Sequence, residues 1–111
     1  MHGDKMKLTY NNKKIVLINC NTFFSRLKGF MFKKKIDKAL MFERCNSIHT
    51  FFMKSNIDVI MCDKENNIIY YNNNLKPNKI ILPRKNVYKT IELPVNYFDI
   101  KIDTKIRIDK L

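Results

Sequence analysis

Side chains able to do chemistry crowd into one stretch, Ser47 to Asp63, where His49, Lys54, Asp58 and Asp63 stand among the densest apolar residues of the chain. His49 suits a general base or a ligand contact, because imidazole can both accept and donate a proton. The plainer alternative is a hydrogen bond near a strand end. Asp58 is alone among Ile57, Val59 and Ile60, and a buried carboxylate without a partner is very costly. It must accept hydrogen bonds or meet a cation, and Arg26 and Lys54 are the partners expected. That pairing reads either as an ion pair tying a helix to a sheet or as an anion-binding or carboxylate-binding cleft built on the same arginine. On an extended segment His49, Phe51 and Met53 share one face and Lys54 the other, so His49 and Lys54 meet only if the strand twists or bulges.

Other chemistries are weaker. Cys45, His49 and Cys62 offer three metal ligands, but residues four apart on an extended segment lie far apart and no fourth ligand stands near them, so no metal site is expected. Cys62, flanked by Met61 in an apolar run, reads as an inert buried thiol. There is no glycine-rich phosphate loop, nucleophile elbow or zincin helix. Phe23, Phe24, Phe30, Phe32, Phe42, Phe51 and Phe52 interleave with basic residues, a pattern that can stack single-stranded bases. Core packing explains the same residues more simply.

Lys plus Arg total 22 against 10 acidic residues, a formal charge of +12 with a pI near 9.8. A field of that sign attracts polyanions. Yet arginines number only Arg26, Arg44, Arg84 and Arg107, whereas bidentate phosphate recognition favours Arg. Gly numbers 2 and Ala39 is the sole alanine, the composition of an AT-rich coding sequence. A solvated lysine surface is the simpler reading, with nucleic acid a lesser partner.

At 111 residues the chain fits a single domain spanning residues 1–111, with one modest core. A hydrophobic fraction of 45% and an aromatic fraction of 12% argue for a folded globule, despite a mean hydropathy of -0.35. The longest apolar runs, Ile15 to Ile18 and Val59 to Cys62, fall far short of the ~20 residues that span a bilayer. No membrane helix is expected, and the start of the chain lacks the apolar stretch of a secretory signal. Cys20, Cys45 and Cys62 cannot all pair within one chain, which suits a reducing, cytoplasmic setting.

The elements that must position these side chains are mostly strands. Met6 to Tyr10 and Lys14 to Asn19 read as a pair joined at Asn11-Asn12, since Asn tolerates left-handed angles. Asn21 or Thr22 caps a short helix through Lys28, ended at Gly29, with Phe23, Leu27 and Phe30 on one face and Arg26 at its edge. Ala39 to Arg44 and Ile48 to Met53 follow as strands. Ile57 to Cys62, apolar almost throughout, reads as the central strand, covered on both faces. Asp63 to Asn67 makes a hairpin loop back to Ile68 to Tyr71. Val87 to Leu93 alternates, and Pro94 begins a single helical turn. The fold class expected is α+β and mostly β, a compact bent antiparallel sheet or small open barrel with one short helix packed on it.

Four ordered segments resemble a known family. Arg26-Leu27-Lys28-Gly29-Phe30-Met31 is similar to its Arg-x-x-Gly-Leu-Met segment, and Ala39-Leu40-Met41-Phe42 to its Gly-Met-Leu-Phe. Ile48 to Lys54 with Ile57-Asp58-Val59 resembles its most distinctive run, and Glu92-Leu93-Pro94 its Glu-Leu-Pro. The family is DUF family 192, uncharacterised bacterial and archaeal proteins, and the resemblance covers roughly residues 14–108. It implies a small, mostly β fold with a helix and brings no activity with it. Where the family usually has glycine, this chain has Asn96 and Asp103-Thr104, so Asn or Asp must make those turns.

The function expected is a non-catalytic binding or accessory module. Its cleft lies beside residues 48–54 and holds a small ligand or peptide, with Arg26, His49, Lys54 and Asp58 as polar lining. No cofactor is implied. The alternative is a small hydrolase or transferase using His49 with Asp58, which requires the two to come within hydrogen-bond reach.

Overall fold

Asn11 and Asn12 take φ values of 49° and 64°, the left-handed pair of a two-residue hairpin turn. The turn folds β1 (Asp4–Tyr10) onto β2 (Lys13–Asn19) with Tyr10 opposite Lys13. This is a computed structural model, and it describes residues 4–20 and 35–111. The helix expected over 22–28, and with it Arg26, lies outside the described residues.

The remaining strands are β3 (Ala39–Glu43), β4 (Ile48–His49), β5 (Ile57–Cys62), β6 (Ile68–Leu75), β7 (Ile80–Ile81), β8 (Lys89–Leu93) and β9 (Arg107–Lys110). Seven of them form one sheet in the order β6-β5-β8-β3-β2-β1-β9, and β4 pairs with β7 in a separate small sheet. All pairings are antiparallel except β2 with β3. The long sheet curls until its edges touch at one end. There Asn67 bridges Lys105, and Ile68 N–H donates to Thr104 O at 2.8 Å. The described chain is thus mostly β and compact, with a radius of gyration of 12.6 Å.

Alternation along the strands sorts side chains onto two faces. The inner face takes Leu8, Leu17, Met41, Ile60, Ile68, Ile91 and Leu93, closed by Phe98, Ile100 and Ile106. The outer face carries Ile18, Leu40, Phe42, Ile57, Val59 and Met61, against which Ile48 and Ile81 of the small sheet pack together with Met53. Lys89, on the inner face of β8, is buried and donates to Asn66 Oδ1, which gives its ammonium a hydrogen-bond partner.

Three expectations need correction. β5 is buried throughout, as its apolar run implies, but it lies second from an edge and β3 takes the middle. The strand expected over 48–53 stops at His49. Its Thr50 turns away to bond residues 76–79, a pairing invisible in local sequence. Pro94 starts a tight turn, with Tyr97 N–H on Pro94 O at 3.3 Å, and no helical turn. The turns lacking glycine do use Asn96 (φ 59°) and Asp103 (φ 68°).

The thiols follow from this packing. Cys20 and Cys62 are buried and Cys45 is half-buried, and burial pushes the Cys62 thiol up to about 12. Since the thiolate is the nucleophile, iodoacetamide should label Cys45 first, with Cys62 reacting only after denaturation. Rapid labelling of Cys62 in the folded chain, read by peptide mass mapping, would contradict this packing.

Candidate functional site

Thr50 sets the local geometry. Its Oγ1 donates to Lys76 O (2.7 Å) and accepts from Lys79 N–H (2.8 Å). Its own N–H donates to Lys79 O at 2.8 Å, while its carbonyl accepts from Asn78 and Met53 N–H. The chain must therefore reverse at 50–53. Phe52 takes φ 65° there, an uncommon angle for a bulky residue, and is 62% exposed.

His49 lies opposite Ile80 in the β4–β7 ladder, and Ile48 opposite Ile81. Ile48 and Ile81 face the core, so His49 and Ile80 face outward. The His49 ring stacks on Phe51 with centroids 4.9 Å apart. His49 Nδ1 accepts the Phe51 N–H at 3.2 Å, which leaves Nε2 to carry the proton of the neutral ring. Ile80 and Leu82 are 59% and 72% exposed. An apolar strip thus runs from Phe51 across His49 and Ile80 to Leu82. Isolated exposed apolar residues are ordinary, but a contiguous strip marks a contact surface.

The strip descends into a cleft of about 650 Å³ between β6 and residues 79–85. Ile69, Tyr70, Asn72 and Leu75 form one wall, and Lys79, Arg84 and Lys85 stand on the other with Ile80 and Leu82. None of its described lining residues is acidic. The Arg84 guanidinium lies 3.7 Å over the Tyr70 ring, a cation–π contact that holds the charge in place. Arg84 N–H also donates to Asn46 O at 3.1 Å. A separate cavity of about 590 Å³ also touches Ile69 and is lined by Asp63, Lys64, Glu65, Asn86, Val87 and Tyr88, so it carries two carboxylates.

Asp58 is elsewhere. It is 1% exposed, and it faces the opposite side of β5 from Ile57 and Val59. Between Ile57 paired with Leu75 and Val59 paired with Asn72, β6 holds two residues against Asp58 alone, a β-bulge. Its carboxylate fills that bulge. Oδ1 accepts from Asn73 Nδ2 and Asn74 N–H, both at 2.8 Å. Oδ2 accepts from Tyr71 OH (3.0 Å) and Asn96 N–H (2.9 Å). Burial, aided by the Asp58 carboxylate, pushes the Tyr71 phenol up to about 12.

The expected partnership of Asp58 with Lys54 is therefore replaced by four neutral donors, and Lys54 is exposed at the end of the 50–53 turn. Nor are His49 and Asp58 brought together. One faces outward from the small sheet and the other the inner side of the large one, so the pairing a hydrolase would need is not made. Asp63 is a loop organiser, accepting from Glu65 and Asn67 N–H and from Asn67 Nδ2. The Asn67 side chain holds its carboxyl below the ordinary range. Of the four candidate residues, His49 lies on the strip, Lys54 is exposed just after the 50–53 turn, Asp58 belongs to the framework, and Arg26 lies outside the described residues.

Lys79, Arg84 and Lys85 were not among the candidates, although Leu82-Pro83-Arg84-Lys85 follows an apolar pair and carries the signal. Glu92 was also passed over. Its strand neighbours are Leu40 and Val59, it is 5% exposed, and its Oε1 has no hydrogen-bond partner among the described residues. Burial pushes its carboxyl up to about 8.

The DUF192 profile, described as an uncharacterized ACR, matches residues 6–108, so the match begins within β1. A UPF0127 protein from Thermococcus kodakarensis is 37% identical over 81 residues, 68% of this chain and 51% of that protein. Another from Thermococcus sibiricus is 34% identical over 85 residues, 71% of this chain and 54% of that protein. The chain thus spans about half the length of these curated relatives. A crystal structure of a protein of unknown function from Novosphingobium aromaticivorans superposes with a TM-score of 0.76 at 15% identity, covering 93% of this chain and 83% of that one. A second, from Sinorhizobium meliloti 1021, whose name proposes a transcription regulator, gives 0.79 at 14% identity over 96% and 93%. At those identities the likeness shows the fold alone. With its profile match running from β1 into β9, the chain belongs to the DUF192 family of uncharacterised proteins.

Proposed function

We propose that this chain is a non-catalytic binding module that takes an acidic ligand or peptide segment in the cleft between β6 and residues 79–85. The observation that carries the reading is the cleft wall: Lys79, Arg84 and Lys85 beside Ile80 and Leu82, with no acidic residue among the described lining. Such a wall suits a ligand carrying both carboxylates and aliphatic groups, because the cations attract the charge while the apolar residues bury the rest. His49 and Phe51 extend the contact surface along β4. No hydrogen-bonded nucleophile and base pair accompanies the cleft among the described residues, which favours binding over catalysis. The odd number of cysteines supports a reducing, cytoplasmic setting. Among the described residues no helix is long and apolar enough to cross a membrane.

The test is fluorescence anisotropy with a fluorescein-labelled heptapeptide of alternating Glu and Val. Wild type should bind it, and R84E/K85E should bind at least tenfold more weakly, with K79E as a second variant away from the Tyr70 contact. Unchanged affinity in both variants, each checked for an unaltered urea midpoint, would remove the proposal.

A further inference from the structure

Resting on that reading, we infer that the occupant of the cleft is an extended acidic peptide that adds as a strand to the outer edge of β6. β6 ends the seven-strand order and pairs, among the described strands, only with β5. Its outer backbone is used at Ile68, whose N–H donates to Thr104 O (2.8 Å) and whose carbonyl accepts from Asp103 N–H (2.9 Å). Past that residue no described strand lies against it.

The two edges of the sheet are guarded differently. Three of the four residues of β9 are charged, Arg107, Asp109 and Lys110, which is the usual protection of an edge against another strand. β6, Ile-Ile-Tyr-Tyr-Asn-Asn-Asn-Leu, has no charged side chain in eight residues, on a chain with 22 basic residues. Among the described residues it is the edge without charged side chains, and a cleft lies beside it. The neighbouring cavity past Ile69 carries Asp63 and Glu65, so an acidic segment is confined to the side of Lys79, Arg84 and Lys85. The bulge opposite Asp58 and the register shift between Met61 and Cys62 bound the regular stretch. That stretch is Tyr70 to Asn72, so an added strand is short, about three residues or ~10 Å of extended chain.

Charge selects the occupant. A second copy of this chain would bring +12 against +12, and self-pairing is opposed by that repulsion. A segment with Glu or Asp at alternate positions places its carboxylates towards Lys79, Arg84 and Lys85 while its main chain bonds β6, the division of labour seen in strand addition generally. Nucleic acid fits less well, since Arg84 covers the Tyr70 ring and Phe51 stacks on His49.

The experiment uses the whole chain and the labelled Glu-Val heptapeptide, N-methylated on alternate residues in either of its two frames. N-methylation removes backbone donors, so the frame that faces β6 should bind at least tenfold more weakly while the other frame is nearly unchanged. Should both methylated frames bind like the parent while R84E/K85E still weakens binding, strand addition is overturned and the cleft reading stands. No binding of the parent peptide overturns both. Tighter binding of a single-stranded oligothymidylate of equal charge overturns the choice of partner.

Discussion

Asp58→Ala should lower the unfolding free energy by about 3–5 kcal/mol, because four neutral donors lose their shared charged acceptor and each buried donor left unpaired costs ~1–3 kcal/mol, not fully additively. The carboxylate accepts four hydrogen bonds, two from main-chain N–H groups of Asn74 and Asn96 and two from the side chains of Tyr71 and Asn73. These donors come from β6 and from the turn after Pro94, so the loss unties the bulge from the strand beside it and from the turn beyond. Asn74 and Asn96 hold left-handed angles of 60° and 59°, conformations that cost a non-glycine residue energy and persist because the surroundings impose them. Against a typical stability of about 5–15 kcal/mol, the loss would be a large fraction. Asp58→Asn keeps the shape but turns one acceptor into a donor facing donors, so it should destabilise in the same direction. Urea midpoints decide the matter: a midpoint for Asp58→Ala equal to wild type would show that the four bonds contribute nothing net.

Glu92→Gln should change how stability depends on pH. Burial raises the Glu92 carboxyl from its ordinary 4.5 to about 8, so between those values the folded chain holds a proton that the unfolded chain has released. Folding then binds protons, and unfolding free energy falls as pH rises through that window and is flat on either side of it. The total is on the order of a few kcal/mol. Gln carries no proton to lose, so the variant lacks this decline and should be the more stable of the two near pH ~8. The measurement is the difference in urea midpoint between wild type and Glu92→Gln at about pH 5 and about pH 8. A difference that stays constant with pH would show that Glu92 is ionised and compensated in the folded state.

Local signals in the sequence were readable where local chemistry decides the structure. The Asn11-Asn12 hairpin, the Asp63 loop with Asn66 at φ 68°, and the left-handed Asn96 and Asp103 all follow from residues a few positions apart. So does the alternation that sends Ile91 and Leu93 inward. What was not readable depends on pairing across the chain. Thr50 ends β4 because its hydroxyl bonds Lys76 and Lys79, more than two turns of sequence away. Asp58 invited a cationic partner because isolated carboxylates usually need one, but a bulge in β6 supplies neutral donors instead. β3 takes the middle of the sheet because β2 pairs with it in parallel, a crossover that hairpin logic does not anticipate. Glu92 looked like the polar side of an alternating strand, and only the packing of the outer face shows that this side is covered as well. The cationic wall escaped notice for a related reason: Lys79 and Lys85 are two lysines among many until the fold sets them across from Ile69 and Tyr70.

Amide chemical-shift mapping tests the binding account most directly. The isotope-labelled chain is titrated with the Glu-Val heptapeptide, and perturbed amides are located on the structure. The account predicts that they cluster along Ile69 to Leu75 and Lys79 to Lys85, with His49 and Phe51 at the margin. Shifts spread evenly over the lysine surface, or gathered at β9 and β1, would contradict it.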